Sequence, residues 1–233
     1  MARGTETGTR GGSRAQSELG TKVRGILTAK SPVKGLGNLV KSYRTKENAK
    51  GGYAGEEEVT PTPELIAMAN QSLENAERAA VGAENEHAAV YKDGVQLFVK
   101  TSSSANYVDF NAKESKAMKD AIFTHNHPVG PSGVPIPFSR GDVVMLLKNK
   151  CQEFRAVSGN VAFSMKPPKD SPFWKLTGPK LQKMMDGLRA AEIASRGYGP
   201  SDPLPDQVLA DVLDSMLTKI DSKIPIGYTK KTL

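Results

Sequence analysis

The sequence predicts an α+β domain at residues 56–168, preceded by a disordered basic tail at 1–55 and followed by a helical extension at 169–233. Helix-like and strand-like segments alternate within the domain, which is the order expected of a sheet flanked by helices. Residues 1–55 contain half of the 22 glycines of the chain. A Gly-rich segment with few apolar residues cannot bury enough surface to fold alone. Beyond residue 168 the apolar residues recur at helical spacing.

The basic charge of the chain lies in the tail. Residues 1–55 hold eleven Lys or Arg and three Glu, whereas the whole chain has a net charge of +7. The rest of the chain is therefore close to neutral. This concentration predicts contact with nucleic acid or another acidic partner, and a solvated linker is the alternative. Tyr43 and Tyr53 are the only aromatic residues there, so stacking on single-stranded bases has little support.

Several classes of protein are excluded or disfavoured by composition. A single cysteine excludes a disulfide framework and a multi-cysteine zinc module, and it suits a reducing compartment. No apolar run reaches the roughly 20 residues of a membrane span, and the N-terminus lacks the apolar core of a secretory signal. We expect a cytoplasmic or virion-associated protein that has no membrane contact.

The first half of the domain predicts a helix, a hairpin and a short helix. Residues 60–80 have apolar residues on one helical face, with Thr62 as N-cap and Pro63 at the first helical position. Two strand-like runs flank Lys92-Asp93-Gly94, and Asp-Gly between apolar runs is typical of a hairpin. Asn111 then begins a short helix.

The second half predicts a buried strand at Ala121–His125, a Pro/Gly-rich loop and a helix that begins at Ser139. A second hairpin follows around Gly159-Asn160. Two amphipathic helices complete the chain. Their apolar residues are Leu181, Met184, Met185 and Leu188 in the first helix, and Val208, Leu209, Val212, Leu213, Met216, Leu217 and Ile220 in the second.

Candidate chemistry is concentrated around His125 and His127. In an extended strand, residues two apart lie on the same face, so the two imidazoles could bind one Zn²⁺. A catalytic zinc needs a third protein ligand, and Asp142, at the start of the next helix, is the natural candidate. Glu86, in the run before the first hairpin, is the candidate general base. Glu84 lies two residues earlier and is the alternative base.

The sequence resembles the JAB/JAMM (MPN-type) metalloproteases of bacterial and phage proteins at three places. These are Glu86, the His125-Asn126-His127-Pro128 segment, and Ser139 with Asp142. The resemblance covers residues 84–165 and implies a cytidine-deaminase-like mixed sheet with flanking helices. It also implies a zinc-dependent hydrolase of peptide or isopeptide bonds, in which Ser139 hydrogen-bonds the oxyanion. One departure is the loop before Ser139, which has eleven residues where typical members have seven.

The same residues have other interpretations. Ser139 and Asp142 fit a helix capping box, and Asp109 is a second possible metal ligand. His87 points away from the face of Glu86 and is expected to be structural, and Cys151 is expected to be a buried thiol. The domain could also be a non-catalytic structural or accessory protein of a phage or mobile element, or a toxin domain.

Overall fold

The computed structural model describes residues 63–101, 108 and 110–233, together with the backbone of 40–47 and 53–59. It confirms an α+β fold with a mixed sheet and flanking helices. None of the helices in these ranges is both long and apolar enough to cross a membrane.

The sheet has its central strands arranged around β5. The strands are β1 (Val40–Glu47), β2 (Tyr53–Val59), β3 (His87–Lys92), β4 (Val95–Thr101), β5 (Ile122–Asn126), β6 (Glu153–Ser158), β7 (Val161–Met165) and β8 (Tyr228–Thr232). Six of them lie in the order β4-β3-β5-β6-β7-β8, and β1 and β2 continue the sheet beyond β4. The pairs β5–β6 and β1–β4 are parallel and the others are antiparallel.

The helices are α1 (Pro63–Met68), α2 (Leu73–Ala80), α3 (Ala112–Ala117), α4 (Arg140–Asn149), α5 (Gly178–Ser195) and α6 (Asp206–Lys223). Helices α1 and α2 replace the single helix expected at 60–80. The helical conformation is interrupted at Asn70, which has a positive φ of 58°. Ser72 then caps the second helix by accepting a hydrogen bond from the Asn75 N–H. Ser in a cap competes with continuation of the helix.

The structure also differs from the expected tail boundary. Strand β1 lies within residues 1–55, and β2 crosses residue 55. Backbone hydrogen bonding to the edge of β4 gives this polar segment an order that its own composition does not predict. Residues 1–39 and Asp109 lie outside the described part of the chain.

Each face of the sheet buries an apolar cluster. Helices α1 and α2 cover one face, where Leu65 and Ala76 pack with Tyr91 of β3. The opposite face carries the larger cluster, which includes Phe123, Phe154 and Phe163 from the strands. Helices α4, α5 and α6 cover this second face with Leu146, Met185, Leu213, Met216, Leu217 and Ile220.

Both C-terminal helices are therefore present, but they form part of the main core. The chain after α6 returns to the sheet as β8, a strand that the sequence does not predict. Gly227 makes this return possible, because its φ is +61° and a Cβ there would lie 2.4 Å from the Lys166 carbonyl oxygen. The backbone N–H groups of Ile226 and Gly227 both donate to Asp221 Oδ1, each at 2.7 Å.

Candidate metal site

The site is built on β5, between β3 and β6. His125 pairs with Ala88 on one side and with Ala156 on the other. These small neighbours leave room for the imidazole on the face covered by α4. His127 follows the end of the strand, and its backbone N–H donates to the Val157 carbonyl at 2.8 Å. Both rings therefore start from a backbone that the sheet fixes.

Backbone carbonyls orient both imidazoles. His125 Nδ1 lies 2.8 Å from the Arg155 carbonyl oxygen, and His127 Nδ1 lies 3.0 Å from the Ile136 carbonyl oxygen. A carbonyl only accepts hydrogen bonds, so each Nδ1 carries the proton and each neutral ring presents a lone pair at Nε2. The two Nε2 atoms lie 2.9 Å apart. Two facing lone pairs at this distance require a proton or a metal ion between them.

Asp142 lies across the histidine pair. Its Oδ1 is 3.2 Å from His125 Nε2, and its Oδ2 is 3.4 Å from His127 Nε2. Helix α4 holds the carboxylate here through a capping box, in which Ser139 N–H donates to Asp142 Oδ2 and Asp142 N–H donates to Ser139 Oγ. The cap and the ligand interpretations are thus compatible, because the cap fixes the direction of the carboxylate.

Glu86 completes the group from the segment before β3. Its Oε1 lies 3.6 Å from His125 Nε2, and the residue is only 5% exposed. Its Oε2 is buried and has no hydrogen-bond partner among the described residues. Glu86, His125 and His127 each offer a ligand atom, and these atoms lie within 4.8 Å of one another. The group could therefore hold a metal ion.

Burial and charge act in opposite directions on these groups. Burial raises the pKa of Glu86 above its usual range, although the histidines oppose this shift. Burial alone would lower the pKa of His127, but the Asp142 hydrogen bond and charge raise it to about 9. Burial alone would raise the pKa of Asp142, but His125 and His127 hold it well below its usual range. The site therefore favours positive charge at the imidazoles, as a proton or as a metal ion.

The long loop before Ser139 is anchored at two points, one near its end and one near its middle. Ile136 N–H donates to Ser158 Oγ at 3.0 Å, which fixes the carbonyl that orients His127. Ser132 Oγ donates to Asp206 Oδ2 of α6 at 2.6 Å. The extra residues of the loop thus reach the C-terminal helix, and they leave Asp142 next to the histidines.

The other candidate residues lie apart from this group. Glu84 is exposed, whereas Glu86 is buried beside His125, so Glu86 and not Glu84 belongs to this group. His87 is buried and its Nδ1 lies 2.7 Å from the Asn85 carbonyl oxygen. Cys151 is fully buried, as expected, and burial raises the pKa of its thiol to about 12. Ser139 is exposed beside the site, and its hydroxyl hydrogen is not used by the cap.

Sequence reasoning missed the two carbonyls that orient the imidazoles. Arg155 and Ile136 contribute through their backbone, so their residue types give no signal. The comparisons with known proteins add no further assignment. No protein-family model, no curated protein and no solved structure matches this chain.

Proposed function

We propose that the protein is a zinc-dependent hydrolase of the JAB/JAMM type that cleaves a peptide or isopeptide bond. The observation that carries the proposal is the pair of His125 and His127 Nε2 atoms, 2.9 Å apart with both Nδ1 atoms engaged by carbonyls. Glu86 Oε2, which has no hydrogen-bond partner in the described ranges, is a buried carboxylate oxygen at the same place. Imidazole and carboxylate together form a donor set that suits zinc.

His125, His127 and Asp142 would hold the ion, and Glu86 would remain available for proton transfer. Zinc, when bound, lowers the pKa of a coordinated water to about 7 and polarises a carbonyl oxygen. The raised pKa of Glu86 suits a group that takes a proton from the attacking water and later gives it to the leaving amine. The Ser139 hydroxyl can donate to the oxyanion from the mouth of the site.

The first test is metal content. We expect close to one zinc per chain in wild-type protein purified without a metal-affinity tag, measured by elemental mass spectrometry. The double variant His125→Ala/His127→Ala should lose it, while His87→Gln, which removes the remaining histidine, should keep it. A folded wild-type protein that contains no zinc and takes up none on dialysis would contradict the proposal.

We also propose a second activity, binding of nucleic acid or another acidic partner by the basic tail (residues 1–55), and in particular by its part before β1, residues 1–39. The supporting observation is charge, because residues 1–39 contain seven Lys or Arg and two Glu. Binding to duplex DNA should weaken steeply with salt, as expected when phosphates are neutralised. Deletion of residues 1–39 should remove this binding and leave the zinc content unchanged. Equal DNA binding with and without these residues would exclude the tail as a nucleic-acid interface.

A further inference from the structure

Asn126 lies between the two histidines but points to the other face of the sheet. It is 2% exposed, and the last residue pair between β3 and β5 is Ala88 with His125. One residue further along β5, the side chain of Asn126 forms the hydrogen bonds to the neighbouring chain that backbone groups form within the strands. Its Oδ1 accepts a hydrogen bond from His87 N–H at 2.7 Å, and its Nδ2 donates to the Asn85 carbonyl at 3.1 Å.

These two hydrogen bonds hold the residues on either side of Glu86. A third bond holds Glu86 itself, because Thr101 Oγ1 donates to its carbonyl oxygen at 3.0 Å. The Glu86 side chain has no such support, since its Oε2 lacks a partner among the described residues. The position of the carboxylate therefore depends on how firmly its backbone is held.

We propose that Asn126 is a positioning residue that fixes Glu86 over the metal site. The proposal rests on the proposed hydrolase function, in which Glu86 is the base. A carboxamide suits this position because it must accept from one backbone group and donate to another. An aspartate would lose the donor, and a serine is too short to span both. Within the described part of the chain, the Asn126 side chain hydrogen-bonds to the backbone of Asn85 and His87 and not to the histidine nitrogens or Asp142, so it acts through Glu86.

The histidines are held independently of Asn126. His125 is oriented by the Arg155 carbonyl and His127 by the Ile136 carbonyl. Loss of the Asn126 side chain should therefore loosen Glu86 and leave metal binding intact. This separation distinguishes a positioning role from a general contribution to the fold.

The first experiment measures amide hydrogen exchange in the metal-free full-length protein, so it requires no substrate. In Asn126→Ala and in the milder Asn126→Ser, the His87 amide should exchange about tenfold faster, as expected when one buried hydrogen bond is lost. The control is Asn111→Ala, which removes the N-cap of α3, on an element that contributes no residue to the site. Unchanged exchange at His87 in both Asn126 variants would overturn the proposal.

The second experiment measures the zinc content and the cleavage kinetics of the same variants. A proteome-derived peptide mixture is the probe for cleavage, and the peptide that the wild-type protein cleaves best is then used to measure kcat and KM. Asn126→Ala should keep about one zinc per chain, lower kcat about 10- to 100-fold and leave KM unchanged. Loss of zinc, or a change confined to KM, would overturn the positioning role. If exchange at His87 is faster in the variants but the wild-type protein cleaves no peptide, the hydrogen bonds from Asn126 to the backbone around Glu86 are supported. The proposed hydrolase function is then contradicted.

Discussion

Each face of β5 carries a buried carboxylate beside basic nitrogen atoms. Both carboxylate oxygens of one cluster have hydrogen-bond partners, whereas one oxygen of the other has none among the described residues. Behind the strand, Glu77 of α2 is 1% exposed and accepts hydrogen bonds from Arg155 Nε at 2.6 Å, Arg155 Nη2 at 2.8 Å and Thr124 Oγ1 at 2.9 Å. On the site face, Glu86 has an unpartnered Oε2 among the described residues and lies 3.6 Å from its nearest imidazole nitrogen.

The two carboxylates are equally well buried, but they differ in how many of their oxygen atoms have hydrogen-bond partners among the described residues. The Glu77 cluster joins α2 to β5 and β6 and leaves no carboxylate oxygen for a ligand. Among the described residues, the Glu86 cluster contains two facing lone pairs and a carboxylate oxygen without a partner, so it has room for a cation. Buried polar groups without partners are costly, and such a cost is expected where a ligand binds.

The largest expected effect comes from Glu86→Gln. Removal of the candidate base should lower zinc-dependent peptide cleavage about 10²- to 10⁴-fold. The free energy of unfolding should not fall, because burial raises the pKa of Glu86 and thus disfavours the charged carboxylate, which the variant replaces with a neutral group. Peptide-cleavage assays and urea unfolding of the same samples measure both quantities. Full cleavage activity in Glu86→Gln would exclude this residue as the base.

The opposite pattern is expected for Arg155→Met. The variant leaves Glu77 charged and buried without its partner, which should cost about 3–5 kcal/mol in the free energy of unfolding. Zinc content should stay near one per chain, since Arg155 orients His125 through its backbone carbonyl. The control is Arg140→Met, which removes an exposed pair with Asp186 and should cost less than about 1 kcal/mol. Equal losses in the two variants would refute the stabilising role of the buried pair.

The two clusters should also differ in their response to pH. The pKa of His127 is raised to about 9, so the folded site carries a proton below that pH. Zinc must displace this proton, and its apparent affinity should fall about tenfold for each pH unit below about 9. Arginine keeps its proton throughout this range. Chelator competition between pH 6 and 9 measures the slope, and a flat profile would contradict proton displacement.

The smallest effects on stability are expected from the hydroxyls. Thr124→Val removes a donor to Glu77 and should cost about 1–2 kcal/mol of stability without changing cleavage. Ser139→Ala removes the cap of α4 and should cost about 1 kcal/mol, but it should also lower kcat about 10²-fold through the lost oxyanion donor. Thermal unfolding and cleavage rates separate the two. A Ser139→Ala enzyme with wild-type kcat would limit Ser139 to capping.

Local patterns in the sequence predicted the elements that carry the site. The spacing of His125 and His127, the Ser139 cap and both hairpin turns depend on neighbours close in sequence, so short motifs identify them. The ion pair between Glu77 and Arg155 joins residues 78 positions apart, and no local pattern marks it. The break at Asn70 was missed for a related reason. The apolar spacing continues through it, and the first helix ends where the distant Gln96 side chain accepts a hydrogen bond from Asn70 N–H and donates one to the Met68 carbonyl.

The C-terminal region illustrates the same limit on a larger scale. Its amphipathic helices are evident from spacing, but the partner of each apolar face is not. In the structure, the apolar faces of both helices pack against the sheet. Tyr228 of β8 packs against Phe138 with ring centroids 6.4 Å apart, and Phe138 in turn packs against His125 at 6.3 Å.

The anchoring of the histidine loop to α6 has a consequence for synthesis of the protein. While the ribosome is still translating residues 206–232, Ser132 lacks Asp206 and β7 lacks its neighbour β8. The nascent chain therefore exposes Phe163 and Met165 and holds His127 on a loop with one anchor instead of two. Zinc capture should follow synthesis of residues 206–232, so the proposed hydrolase would become competent only after these residues have joined the fold.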